Sequence, residues 1–293
     1  MEYQWTKQDG AYQESDVPAR QNCRINIMTE EEFQEKFPVL LCRGFIGGKV
    51  SHNRFCKADR LNKTVAGTFS IPLKESPSKE KTTFGFCMRK EELIFIDDAG
   101  KVRQILDEMQ GYPLTDSSSP ALLLFDFMEY LLKDDMIFLQ EYEERLTRLE
   151  EELLNGKAEG FDRKILSFRK ELSALSAYYE QLSDMGETLQ QNAAEQGDEK
   201  DSLLFGLYSD KAGRLYSAVQ MLKEYSMQLG KIGSNLNQIA KHLNGGGDFY
   251  SVYYEVKQAI RELLDLKFKI LPALEDVACG KKRRRKTKKE DEE

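Results

Sequence analysis

Four aspartates stand in two adjacent pairs, Asp97-Asp98 and Asp134-Asp135, and they are the first residues whose type and spacing suit chemistry. Hard divalent cations take carboxylate oxygens, so each pair is a candidate metal site; the competing reading is a solvated turn or helix face. His52 and Cys56 have the spacing of one helix face, but no second pair follows to complete a tetrahedral metal set, so ordinary packing is favoured. Gly44-Phe45-Ile46-Gly47-Gly48-Lys49 lacks the glycine spacing of a phosphate loop, and Val50 stands where Ser or Thr is needed. It reads as a turn. With two histidines and no nucleophile motif, the chain is not read as an enzyme. At the far end, Lys281, Lys282, Arg283, Arg284 and Arg285 open a run to Lys289 with eight basic side chains. Such a run can pair with phosphates in a salt-dependent, nonspecific way, or simply solubilise a terminus.

Composition narrows the setting. The net charge is -7, yet residues 281–293 carry +4, which leaves -11 on the rest: an acidic body with a basic tag. An acidic body repels nucleic acid and attracts cations, so DNA binding would need a local patch. The five cysteines are odd in number, widely spaced and free of any Cys-x-x-Cys, and no signal peptide precedes them; a reduced, cytoplasmic compartment follows. The longest apolar runs, such as Ala121-Leu122-Leu123-Leu124-Phe125, hold four or five residues against the roughly 20 needed to cross a bilayer. No membrane span is expected, and attachment at the inner face of the cell membrane is at most peripheral.

The elements that must position these groups fall into two kinds. Between Phe37 and Ile96 the period is strand-like: Val39–Ile46, Val65–Ile71, Thr83–Met88 and Leu93–Ile96, the last two joined as a hairpin through Arg89-Lys90-Glu91-Glu92. Lys101–Met109 is a helix stopped at Gly111-Tyr112-Pro113. Ser119-Pro120 then starts a long helix. Its heptad runs through Phe125, Met128, Leu132, Asp135, Leu139, Tyr142, Leu146, Leu149 and Leu153 to Asn155-Gly156, with Asp135 the break. A second helix carries Phe161, Ile165, Phe168, Leu172, Leu175, Tyr179, Leu182 and Leu189, followed by a polar break over 190–200. The third and longest holds a seam from Leu204 to Leu243 with Lys211 its plainly polar member, roughly 60 Å if unbroken. Asn244-Gly245-Gly246-Gly247 stops it, and one more amphipathic helix spans Tyr250–Ile270. The fold class is α+β: a small α/β domain (1–116), a stalk of long antiparallel coiled-coil-like helices (117–229), a C-terminal helical hairpin (230–270) and a basic-acidic tail expected to be disordered (271–293).

Residues from about 25 to 229 resemble the cytoplasmic part of the CorA family of magnesium transporters. The resemblance is carried by Ala66-Gly67-Thr68-Phe69-Ser70-Ile71-Pro72, by Phe84-Gly85-Phe86, and by Leu93-Ile94-Phe95-Ile96-Asp97-Asp98. It continues through the hairpin from Leu122 to Leu189, Tyr208-Ser209-Asp210-Lys211-Ala212-Gly213-Arg214-Leu215-Tyr216, and Leu222-Lys223-Glu224-Tyr225-Ser226. It implies a strand-rich domain on a helical funnel, a homo-oligomer or association with full-length CorA-like subunits, and Mg²⁺ as a regulatory ion held between subunits. The family's Gly-Met-Asn signature and membrane spans are missing after Leu229, so the chain is not expected to transport alone. No regulatory acid is carried over residue by residue; Asp97, Asp98, Asp134 and Asp135 stand as the candidates.

From Leu229 a second resemblance begins. Ile232-Gly233-x-Asn235-x-Asn237-Gln238-Ile239-Ala240, with Lys241 beyond, is similar to the signature of MobC-type plasmid mobilisation proteins, accessories of a relaxase. That likeness implies binding of DNA or a relaxase through Asn235, Asn237, Gln238, Lys241 and the basic run. The alternative from the residues themselves is that these amides cap and hydrogen-bond within a helical hairpin whose core is Ile232, Leu236, Ile239 and Leu243. The expected function is a CorA-like soluble regulatory domain, oligomeric and Mg²⁺-sensing, with mobilisation as the alternative.

Overall fold

The computed structural model describes residues 3–8, 11–14, 24–38, 50–61, 64–109, 112, 119–155 and 160–245. Beyond these it describes positions 253–254, 257–258, 260–265, 267–269 and 272. Among the described residues seven strands form one sheet in the order β2-β1-β3-β7-β6-β5-β4. They are β1 (Tyr3–Gln8), β2 (Ala11–Glu14), β3 (Arg24–Met28), β4 (Lys57–Leu61), β5 (Thr64–Pro72), β6 (Lys81–Met88) and β7 (Glu92–Ile96). All neighbours are antiparallel except β3 and β7, which run parallel with Arg24 opposite Glu92 and Met28 opposite Ile96. β5, β6 and β7 are buried on both faces, which is why they stand out in the sequence as apolar runs rather than alternating ones. On one face Met28, Ala66, Cys87, Ile94 and Ile96 pack with Phe33 of α1 (Glu30–Lys36). On the other, Phe69, Phe84 and Phe95 surround Phe127, whose ring centroid lies 4.6 Å from that of Phe95.

Phe127 belongs to the helical layer: α3 (Pro120–Leu131), α4 (Asp135–Leu154), α5 (Phe161–Glu195) and α6 (Glu199–Asn244), while α2 (Lys101–Glu108) closes off the sheet end. Ser119 caps α3 by accepting from the Leu122 amide at 3.1 Å, with Pro120 in the first turn, as the sequence predicts. The 46-residue α6 packs along α5. Where they cross, Gly186 brings the backbones together: a Cβ there would sit 2.9 Å from Ser209 Cβ. The Ser183 and Ser209 hydroxyls donate to each other's carbonyls at 3.1 and 2.9 Å across that contact.

Three expectations need adjustment. The single helix expected from Ser119 to Asn155 is two, α3 and α4, because Leu132-Lys133-Asp134 form a turn at the polar break in the heptad. The polar break expected over 190–200 narrows to the turn around Gly197, whose φ of 78° suits glycine. His52 ends a 3₁₀ turn (Val50–His52) and Cys56 lies beyond it, so the two share no helix face. Cys56 is buried against Ser70, its thiol pushed up to about 12 by that burial, so it is a packing residue. The run Val39–Ile46 and the glycine turn at 44–49 lie outside the described residues.

Candidate functional site

The acidic pairs are placed by helix starts. Asp97 is buried at the end of β7, and its carboxylate accepts from the Ala99 and Val102 amides at 2.9 and 2.7 Å, capping α2. Asp98 accepts from the Glu30 amide at 2.8 Å, at the first residue of α1. One pair therefore ties two helix N-termini to the sheet, where their positive ends favour a carboxylate. Asp134 is exposed, with Lys133 Nζ at 4.0 Å. Asp135 is buried, 2.8 Å from Lys74 Nζ of the β5–β6 loop and accepting from the Tyr179 hydroxyl of α5 at 3.0 Å. Burial pushes the Asp135 carboxyl above the usual range, against the pull of Lys74. Asp97 and Asp135 thus spend their oxygens on protein donors. Among the described residues no group of three or more His, Cys, Asp or Glu could hold a metal ion.

The heptads flagged two polar intruders, Asp135 and Lys211, and the structure gives both an ionic partner. Lys211 Nζ lies 2.6 Å from Glu129 of α3, and Asp135 meets Lys74. Between these pairs, at the junction of sheet and helices, the hydroxyls of Tyr178 and Tyr208 are buried and have no hydrogen-bond partner. Burial, reinforced by Asp135 for Tyr178 and by Cys56 for Tyr208, drives both well above the ordinary phenol range, so they stay neutral. A further buried carboxylate, Glu150 of α4, was not apparent from the sequence. It accepts from Tyr225 at 2.5 Å and from Lys267 at 3.1 Å. A lone Glu on a charged helix gives no signal that a lysine more than a hundred residues away will cover it.

The stretch of α6 from Leu229 divides into an inward and an outward half. Leu229 and Ile232 are buried. Gly230 makes room for Arg169 of α5, which donates to the Ser226 and Met227 carbonyls at 3.4 Å; a Cβ at Gly230 would lie 2.2 Å from the guanidinium. Gly233 does the same for the ring of Phe161, 2.3 Å from a would-be Cβ. Asn235 is half-buried, while Asn237, Gln238 and Lys241 are exposed. The capping role weighed for these amides finds no support: none has a side-chain hydrogen bond among the described residues. Lys281, Lys282, Arg283, Arg284 and Arg285 lie outside the described residues.

Comparison with known proteins follows the same division. The profile of the family described as CorA-like Mg²⁺ transporter protein matches residues 53–244, and that of the bacterial mobilisation protein MobC matches residues 227–265. The two overlap inside α6, on the turns where Gly230 and Gly233 pack against α5. None of the curated proteins compared with the chain matches it. Among solved structures, the complete CorA magnesium transporter from Methanocaldococcus jannaschii aligns with a TM-score of 0.61 at 13% identity, over 94% of this chain and 96% of that one. The ZntB cytoplasmic domain from Vibrio parahaemolyticus aligns with 0.59 at 12%, over 80% and 97%. The full-length CmaX protein gives 0.64 at 12%, over 83% and 79%. Those likenesses establish a shared fold, and the profile match, spanning well over half the sequence, establishes descent: the chain belongs to the family of CorA-like Mg²⁺ transporter proteins.

Proposed function

We propose that this chain acts as the cytoplasmic, cation-responsive portion of a CorA-like assembly, is not an enzyme, and does not conduct ions by itself. It joins copies of itself, or full-length CorA-like subunits, through its long helices. The observation that carries this reading is the family match over sheet and helices together, in a chain where no helix among the described residues is long and apolar enough to cross a membrane. Exposed apolar side chains on the long helices, Leu203 and Leu207 of α6 and Ile137 of α4, supply surface for association. With no metal-holding cluster among the described residues of one copy, Mg²⁺ acts between copies, and the exposed Asp98 and Asp134 are among the carboxylates that can reach a neighbour. Light-scattering mass with and without millimolar Mg²⁺ tests this. A closed oligomer that tightens with Mg²⁺ supports it; a Mg²⁺-indifferent monomer rejects it.

The MobC match supports a second, less favoured reading, in which Asn237, Gln238 and Lys241 with the basic run meet DNA or a relaxase. A salt-dependent shift of plasmid-origin DNA, absent in a Lys281–Arg285 neutralised variant, would favour it.

A further inference from the structure

Past α6 the chain folds back on the helical layer, and its described positions between 253 and 272 are helical. Two faces result. One carries Ile260, Leu263 and Lys267: Ile260 packs on the core, Leu263 is buried there, and Lys267 reaches Glu150. This face is committed to the body of the protein. The adjoining face, about 100° round the helix, carries Tyr254, Lys257, Arg261, Leu264 and Phe268, which alternate by three and four residues and so form one stripe. All five are exposed, Tyr254 by 74%, Leu264 by 45% and Phe268 by 76%. Tyr253 stands edge-on to Tyr254 at 5.9 Å, with Lys257 Nζ 5.7 Å from the Tyr253 ring centre. Asp265 is exposed beside the stripe. Shortly downstream in sequence come the eight basic residues of 281–289.

We propose that this stripe, helped by the basic run that follows it in the sequence, lies on an anionic lipid surface. Apolar and aromatic side chains alternating with cations suit the headgroup boundary: Tyr254, Leu264 and Phe268 enter it, while Lys257 and Arg261 pair with lipid phosphates. Nucleic acid would reward the same cations, but a phosphate backbone offers Leu264 and Phe268 no partner, which is why lipid is the better fit. Neither signal suffices alone. A short stripe binds weakly, and a polybasic run is held only by a screened charge; together they make the kind of two-part anchor that holds a protein at a membrane without crossing it. Because the neighbouring face is anchored, the body follows the stripe to the surface. This inference does not depend on the Mg²⁺ response proposed above.

The test is co-sedimentation of the full chain with vesicles of phosphatidylcholine mixed with phosphatidylglycerol, against vesicles of phosphatidylcholine alone. The proposal expects binding to the mixed vesicles only, weakened by salt. It also expects a loss of roughly tenfold in L264S/F268S, and a comparable loss when Lys281–Arg285 are neutralised. Because Leu264 and Phe268 are exposed, L264S/F268S should melt like the parent, so a loss of binding reports the surface and not unfolding. Absence of binding to mixed vesicles overturns the proposal. So does binding that L264S/F268S leaves intact and duplex DNA displaces, which would make the segment a nucleic-acid arm. A change of light-scattering mass in L264S/F268S with unchanged vesicle binding also overturns it, and assigns the stripe to contact between copies. Loss of vesicle binding with the Mg²⁺-dependent mass retained keeps the two readings apart.

Discussion

Single side chains decide the fit between helices here, and Gly186 is the clearest case. Any side chain at this position must push Ser209 and its backbone away, and the paired Ser183–Ser209 hydrogen bonds would part with it. We expect Gly186→Leu to lower stability by about 1–3 kcal/mol, outweighing the better helix propensity, and to shift the urea midpoint downward. Asp201, in the first turn of α6, offers a pH readout. Burial and then the neighbouring Asp198 raise it from 3.8 to about 6. With the folded value above the unfolded one, the native state holds the proton more tightly. The stability this contributes is full below pH 3.8 and is lost as pH rises to about 6. Asp201→Asn should flatten the stability profile in that window and make the protein relatively more stable at pH 7, as thermal melts across pH would show. Residues of this kind were only partly legible in sequence. Asp135 and Lys211 announced themselves by interrupting heptads, but their partners Lys74 and Glu129 did not, because a loop and another helix supply them.

Elements were legible where burial is one-sided or total. The helices α5 and α6 follow from their heptads, and β5–β7 from their apolar runs. The turn between α3 and α4 was missed because the hydrophobic repeat passes through it, so only Asp135 marked it. The edge strand β4 was missed because Lys57-Ala58-Asp59-Arg60-Leu61 is mostly polar and gains its order from pairing with β5. At this scale the link between α4 and the returning C-terminal segment can be cut with one substitution. Lys267→Met leaves the buried Glu150 without its cation, at a cost of about 1 kcal/mol or somewhat more, the lysine being partly exposed. The expected sign is faster tryptic cleavage after Lys257 and Arg261 while α5 and α6 stay protected; unchanged cleavage would mean that Leu263 alone holds the segment. The MobC-like signature shows a limit of motif reading. Its first residues, the buried Ile232 and Gly233, are absorbed by packing, as is Gly230 just before them, and the exposed Asn237, Gln238 and Lys241 remain for a partner.

For the molecule as a whole, the proposed assembly rests on surfaces that one copy leaves uncovered. Leu203→Asp with Leu207→Asp, both exposed on α6, should lower the light-scattering mass toward a monomer without changing the melting temperature; a retained oligomer would move the interface elsewhere. The sheet carries a separate consequence, for the order in which the protein assembles. The α5–α6 hairpin is built from neighbours in sequence, joined by the short turn at Gly197, so it can form as soon as its own residues are available. The parallel pairing of β3 with β7 joins segments roughly 70 residues apart and must wait until the β5–β6–β7 meander gives β3 an edge to join. On a ribosome, the N-terminal strands emerge first and are completed late, and the helices that emerge last close quickly. For that interval β3, whose Ile25, Ile27 and Met28 wait to be buried, is the segment most in need of a chaperone.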